Sequence, residues 1–124
     1  MKKFFKTQLI SKDKRGDFKN IINDSFKNLS IIYSKKNSLR SNHYHLKDSH
    51  YIYILSGKMI YYYKKLNKKS KLLKKTLKNG DVVYTPPNEA HATLFTEDSI
   101  IIVASKNPRS KKFYEEDTKK YILI

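Results

Sequence analysis

The chain contains no cysteine. Disulfides and thiolate metal ligands are therefore excluded, although the redox compartment stays open. No apolar run approaches the ~20 residues of a membrane-spanning helix. The opening MKKFFKTQLISKDKRGD is basic but has neither the apolar centre nor the cleavage pattern of a secretory signal, so a cytoplasmic protein is expected. Acidic residues are scarce, 11 against 27 basic ones. Arginine is scarcer still and occurs only at Arg15, Arg40 and Arg109.

The resulting net charge of +16 invites a nucleic-acid reading. Two absences argue against it. There is no helix-turn-helix pattern, zinc-finger spacing or RNP-like motif. The excess is almost all lysine and, with abundant Asn, Ile and Tyr, runs through the whole chain as a compositional bias. What survives is a field that favours anionic small molecules, such as phosphorylated sugars, and no nucleic-acid partner is expected.

At 124 residues and 39% apolar, the chain is expected to form a single domain, 1–124, with a real core. It reads as strands joined by turns. Residues 27–34 form a short apolar strand, and 34–42 a polar loop. Residues 42–45 and 50–57 carry the next strand signals, rich in Ile and Tyr. Ser56-Gly57 supports a tight turn, after which 58–65 returns as a strand. Residues 71–81 have helical leucine spacing at Leu72, Leu73 and Leu77. They lie between strands and end in Asn-Gly-Asp, and a strand is favoured there. Residues 82–87 form a strand stopped by Pro86 and Pro87. Residues 90–95 and 99–105 form a hairpin. The tail, KKFYEEDTKKYIL, is either a short helix or an edge segment. No internal repeat is present. The expected class is all-β, a small antiparallel barrel with any helix confined to the ends.

All four histidines fall in this strand-rich region: His43, His45, His50 and His91. Because side chains alternate along a strand, His43 and His45 point to one face. His50 can rejoin them from the next strand and His91 from a distant one. Neutral imidazole is a common ligand for Zn, Cu, Fe or Ni.

The spacing around these histidines resembles the cupin superfamily. Asn42 to Gly57 is similar to its first motif, H-x-H followed by Glu and Gly, with His50 at the Glu position. Gly80 to His91 is similar to the second, G-x5-P-x-G-x2-H. Gly80, Pro86 and His91 match, and Asn88 stands at the inner glycine, where it tolerates left-handed backbone better than most residues. The resemblance implies a jelly-roll barrel. It also implies one divalent metal ion (Fe, Ni, Zn, Mn or Cu) on His43, His45, His50 and His91. Replacing the Glu by His removes a negative charge and a hard oxygen ligand.

A narrower resemblance is to the cupins that act on nucleotide-linked deoxysugars, the 3,4-ketoisomerases, 3,5-epimerases and capsular-polysaccharide reductase domains. Asp13 to Phe18 is similar to their D-x-R-G-x-F, and Arg40 to His45 to their R-G-x-H-x-H, with Ser41 in place of Gly. This implies an isomerase or epimerase in surface-polysaccharide synthesis. His43 would be base or metal ligand, His45 would pair with it, and Arg40 would meet negative charge on the substrate. Tyr33, just before the motif loop, is the expected pocket tyrosine. Two alternatives remain: another metal-dependent cupin enzyme, such as a dioxygenase or small-acid lyase, and a non-catalytic ligand-binding cupin. Small cupins of this kind pair through sheet edges, and the apolar strand at Tyr61–Tyr63 points to a homodimer.

Overall fold

In the computed structural model, which describes residues 2–124, the period-two pattern of the sequence becomes twelve strands and one short helix. In chain order these are β1 (Phe4–Lys6), β2 (Gln8–Asp13), β3 (Gly16–Asn20), β4 (Asn28–Ser34), β5 (Leu39–His45), β6 (His50–Ser56) and β7 (Lys58–Lys65). There follow β8 (Leu73–Lys78), β9 (Asp81–Thr85), β10 (Glu89–Phe95), β11 (Ser99–Ser105), α1 (Lys111–Asp117) and β12 (Thr118–Lys120). Residues 71–81 thus hold a strand, as expected. The tail resolves into both readings, a helix and then an edge strand. The N-terminal strands β1–β3 were not legible, because their lysines interrupt the alternation.

One sheet has the order β1-β9-β6-β11-β4 and the other β12-β5-β10-β7-β8. All pairings are antiparallel. The fold is the expected jelly roll, built as two facing sheets that are not closed into a continuous barrel. The core lies between them. Ile52, Ile54, Val83 and Ile101 come from the first sheet, and Met59, Tyr61, Leu77 and Phe95 from the second. Burying each such side chain contributes roughly 1.5–3 kcal/mol.

Tyr61 corrects an expectation: it is fully buried, and Tyr63 packs partly buried against the core. On β7 the inward residues are Met59, Tyr61 and Tyr63, so this strand's tyrosines are not the exposed apolar surface. That surface lies instead on β4, at Leu29, Ile31 and Tyr33.

The β2–β3 hairpin forms a separate two-stranded sheet and is exposed along nearly its whole length. Asp13 to Phe18 is its tip. The Asp13 carboxylate accepts hydrogen bonds from the backbone and guanidinium of Arg15, and Gly16 supplies φ +133° for the turn. Gly57 makes the tight turn between β6 and β7 at φ +88°. An added Cβ there would collide with Ser99 and the Asp98 carbonyl.

Candidate functional site

The four histidines meet between the two sheets. β5 delivers His43 and His45, β10 delivers His91, and β6 delivers His50 from the opposite sheet. His43 pairs with His91 in register. The ring centroids of His43 lie 4.7 Å from His45 and 4.8 Å from His91. His50 faces the set, 5.4 Å from His45 and 5.5 Å from His91. The ring nitrogens of His43, His45 and His91 come within 4.8 Å of one another, and His50 falls outside that tighter group.

A β-bulge aims β5. Between His91 and Ala92 the register against β5 slips, leaving Asn42 as the extra residue between Ser41 and His43. Ser41 and Asn42 hold φ of +74° and +59°. Ser41 therefore keeps left-handed backbone at the position where the resembled motif has glycine. In an unbroken strand, Arg40 and His43, three residues apart, would face opposite ways. The bulge turns both toward one cavity. Asn88, at φ +60°, likewise keeps left-handed geometry where the resembled motif has glycine, and its backbone N–H donates to the His45 carbonyl (2.7 Å).

The cavity measures about 200 Å³. Ile32, Ile52, Ile101 and Val103 form its apolar wall, and Arg40, His43, His45, His50, Arg109 and Tyr114 its chemical one. Two of the chain's three arginines therefore line one cavity in a protein dominated by lysine. Arg40 is held by hydrogen bonds to the Ser34 hydroxyl (2.8 Å) and the Tyr33 carbonyl (3.2 Å). Arg109 lies 4.0 Å over the Tyr114 ring, which in turn approaches His43 and His45.

Tyr33 is not brought to this cavity. Its side chain is 66% exposed on the outer face of β4. The tyrosine that lines it is Tyr114, from the tail whose structure was ambiguous in sequence.

Two imidazoles are anchored through Nδ1. His91 Nδ1 lies 3.1 Å from the Glu89 carbonyl. That contact makes Nδ1 the donor and leaves Nε2 as the lone-pair nitrogen, which is buried without a hydrogen-bond partner. Behind it the Tyr61 ring stacks on the His91 ring at 6.0 Å and 6°. The Tyr61 hydroxyl reaches Thr85 (2.7 Å) and donates to Glu89 (3.1 Å), whose carboxylate pairs with Lys3. His45 Nδ1 lies 3.2 Å from the Thr118 hydroxyl and 3.8 Å from the Asp117 carboxylate. Asp117 is itself buried and fixed, accepting from the backbone N–H groups of Lys47 (2.8 Å) and Asp48 (3.1 Å). No spacing in the sequence announces Asp117, because α1 and β12 bring it back to β5 from the far end of the chain.

Burial keeps the cluster neutral. It lowers His43 to about 4, helped by the neighbouring His45 and Arg109. It lowers His50 to about 3, helped by His45 and His43. His91 is pushed well below the ordinary histidine value by burial and then by His50 and His43. Burial also lowers His45, but the Asp48 and Asp117 carboxylates pull the other way. Neutral imidazoles with anchored Nδ1 atoms and an orphaned Nε2 are a donor set that fits a divalent ion. His43, His45 and His91 could hold one.

Residues 19–116 match the family described as Cupin. No curated protein matches the chain. Among solved structures, it is similar to the dTDP-4-dehydrorhamnose 3,5-epimerase from Sulfolobus tokodaii, with TM-score 0.75, 21% identity, and 93% of this chain and 73% of that one covered. The QdtA 3,4-ketoisomerase from Thermoanaerobacterium thermosaccharolyticum, in complex with TDP, gives TM-score 0.71 and 21% identity over 93% and 84%. The capsular polysaccharide assembling protein CapF from Staphylococcus aureus gives 0.72 and 18%, with 96% of this chain covering 33% of that one. At these identities the structural likeness shows a shared fold. Together with the match across residues 19–116, the two facing sheets and the converging histidines, it establishes that this chain belongs to the cupin family.

Proposed function

We propose that this cupin is an isomerase or epimerase of a ketone-bearing, nucleotide-linked sugar, working in cytoplasmic surface-polysaccharide synthesis. The observation that carries this reading is His45, a buried imidazole whose Nδ1 is held beside Asp117 and Thr118 in a cavity lined by Arg40 and Arg109. A carboxylate on one ring nitrogen orients the imidazole and favours its protonated form, which suits the other nitrogen to take a proton. In the proposed step, His45 Nε2 removes the proton from the carbon beside the ketone. The C–H electrons move toward the carbonyl oxygen, giving an enediolate. Tyr114 supplies a donor for the developing oxyanion. Protonation of the same carbon by a donor on the opposite face gives the epimer; return of the proton from His45 to the former carbonyl carbon, with the adjacent hydroxyl's proton passing to the former carbonyl oxygen, gives the ketoisomer.

Cavity size supports the division of labour. About 200 Å³ is below the usual range for a whole drug-sized ligand. It suits the reacting sugar ring, with the anionic nucleotide outside, at the arginine-bearing rim. The similar dTDP-4-dehydrorhamnose 3,5-epimerase and the QdtA sugar 3,4-ketoisomerase act on sugars of this class, which favours the same class here.

A second reading, a metal-dependent cupin of another class, is favoured by one specific observation: the orphaned Nε2 of His91 beside His43 and His45. A divalent ion on those three residues, with His50 facing them, would supply Lewis-acid stabilisation of the oxyanion. The test is incubation with dTDP- and UDP-keto sugars in deuterated water, read by NMR. Deuterium entering beside the ketone supports the first reading. No exchange with any keto-sugar, together with oxygen uptake or small-acid cleavage by metal-loaded protein, replaces it with the second.

A further inference from the structure

Between Asp48 and Asp81 the chain has no acidic residue and nine of its lysines. A lysine bias across the whole chain does not explain so long a gap in acids. On the equally exposed β2–β3 hairpin, Asp13 and Asp17 stand among the lysines.

The fold gathers most of these lysines in one place. β7 and β8 pair as far as Tyr63 and Leu73, and residues 64–72 form the tip of that hairpin. The tip is held by its own turn. The Ser70 N–H donates to the Asn67 carbonyl (3.2 Å), and the Ser70 hydroxyl donates to the Asn67 side chain (2.8 Å). Around this turn stand Lys65, Lys68, Lys69, Lys71 and Lys74, all exposed. Among the described residues, none of the five has an ion-pair partner. β8 is the outer edge of its sheet, and lysine on an edge keeps it from pairing with another chain. That accounts for Lys74. It does not account for the lysines of the turn, or for the leucines set among them. Leu66, Leu72 and Leu73 are 38%, 44% and 50% exposed.

We infer that this tip docks on the surface of an anionic lipid bilayer, with the leucines reaching below the headgroups and the lysines meeting lipid phosphates. Two features select that occupant. Each lysine near an anionic leaflet strengthens binding by about fivefold, and its stem can lie along apolar surface while the ammonium stays in water. Single-stranded nucleic acid offers phosphates too, but it is gripped by aromatic rings and arginine planes. Residues 64–75 contain only Lys, Leu, Asn and Ser. The contact is peripheral, since no helix among the described residues is long and apolar enough to cross a membrane. No residue lining the histidine cavity belongs to this hairpin, so the inference stands independently of the proposed reaction.

The test is sedimentation of the full chain with vesicles of phosphatidylcholine, alone or mixed with phosphatidylglycerol, at physiological salt. Wild type should bind the mixed vesicles and not the neutral ones. The triple variant Lys68→Gln, Lys69→Gln, Lys71→Gln should bind roughly 100-fold more weakly, three lysines at about fivefold each. The control triple Lys12→Gln, Lys14→Gln, Lys19→Gln removes the same charge from the exposed β2–β3 hairpin and should change binding by less than about threefold, because remote charges are screened. Leu66→Ser with Leu72→Ser keeps the charge and should weaken vesicle binding about tenfold. In wild type, mixed vesicles should slow hydrogen exchange in residues 64–75 and leave 28–34 unchanged, an arm that needs no variant to fold. Equal loss in both lysine triples, vesicle binding untouched by the leucine changes, or exchange in 64–75 unaffected by vesicles overturns the inference. Wild type that binds oligouridylate but not the mixed vesicles overturns it in favour of nucleic acid.

Discussion

Asp117 lies 3.8 Å from His45 Nδ1 while its carboxylate also holds the backbone N–H groups of Lys47 and Asp48. One buried side chain thus ties the C-terminal helix to the turn after β5 and sets the orientation of the imidazole proposed as base. Asp117→Asn keeps the shape but removes the charge. Under the proposed mechanism, deuterium exchange should fall by roughly 10²–10⁴, the usual share of a general base. Losing the charge-assisted acceptor should also cost about 1–3 kcal/mol of stability, measurable by urea unfolding. Unchanged exchange in a folded variant would remove Asp117 from the mechanism.

Arg40 tests anion recognition. Arg40→Ala should raise KM for a nucleotide-linked sugar roughly 10- to 150-fold, corresponding to a charge-assisted contact of about 1.5–3 kcal/mol. Zinc affinity, measured by calorimetry, should stay constant, since Arg40 offers no metal ligand. A change in zinc affinity without a change in KM would reverse the assignment.

The histidine group makes a separate prediction. Under the metal reading, calorimetric titration with zinc should give one ion per chain, and because that ion would occupy His45, it should suppress the deuterium exchange assigned to His45 in metal-free protein. His91→Ala should weaken binding by well over 10-fold, because even residues behind the ligands typically matter by that much. His50, which lies outside the tighter group, should weaken binding less when changed to Ala. Equal loss in both variants would make His50 a full fourth ligand.

The lowered histidines set the acid limit of metal-free protein. In the unfolded chain they protonate near 6.5, whereas the folded state holds His43 down to about 4 and His50 to about 3. Below 6.5 the unfolded chain therefore binds more protons, and stability falls as pH falls through this window. Urea midpoints of chelated protein, at one fixed concentration, should drop between about pH 7.5 and about pH 5. A flat profile would show that the cluster is hydrated and charged.

Gly57 tests the fold. Gly57→Ala introduces a Cβ at positive φ against the Ser99 hydroxyl and, beside it, the Asp98 carbonyl and the Ser99 backbone, which cannot swing aside as a side chain can. It should destabilise by more than about 1 kcal/mol, measured by urea unfolding. A neutral substitution would show that the β6–β7 turn can relax.

Much of this was legible in the sequence because it rests on local rules. The strands read at 27–34 and 58–65, the stop at Pro86-Pro87 and the left-handed Asn88 all depend on neighbouring residues. The histidines were legible because the barrel motifs fix their spacing. What escaped depends on distant chain. Asp117, Tyr114 and Arg109 reach the cavity only through the course of α1 and β12. Tyr33 looked like a pocket residue by proximity to the motif loop, but strand parity turns it outward. Tyr61 looked like surface until β7 was paired on both sides and its inward face filled the core.

The most direct test of the central claim compares wild type with His45→Gln for solvent deuterium entry into a dTDP-keto sugar, with binding of dTDP measured in parallel. The expected result is exchange by wild type, its loss in His45→Gln, and unchanged dTDP binding, because the proposed reading seats the nucleotide outside the cavity. Exchange that persists in a folded His45→Gln variant would contradict the assignment of His45 as the base.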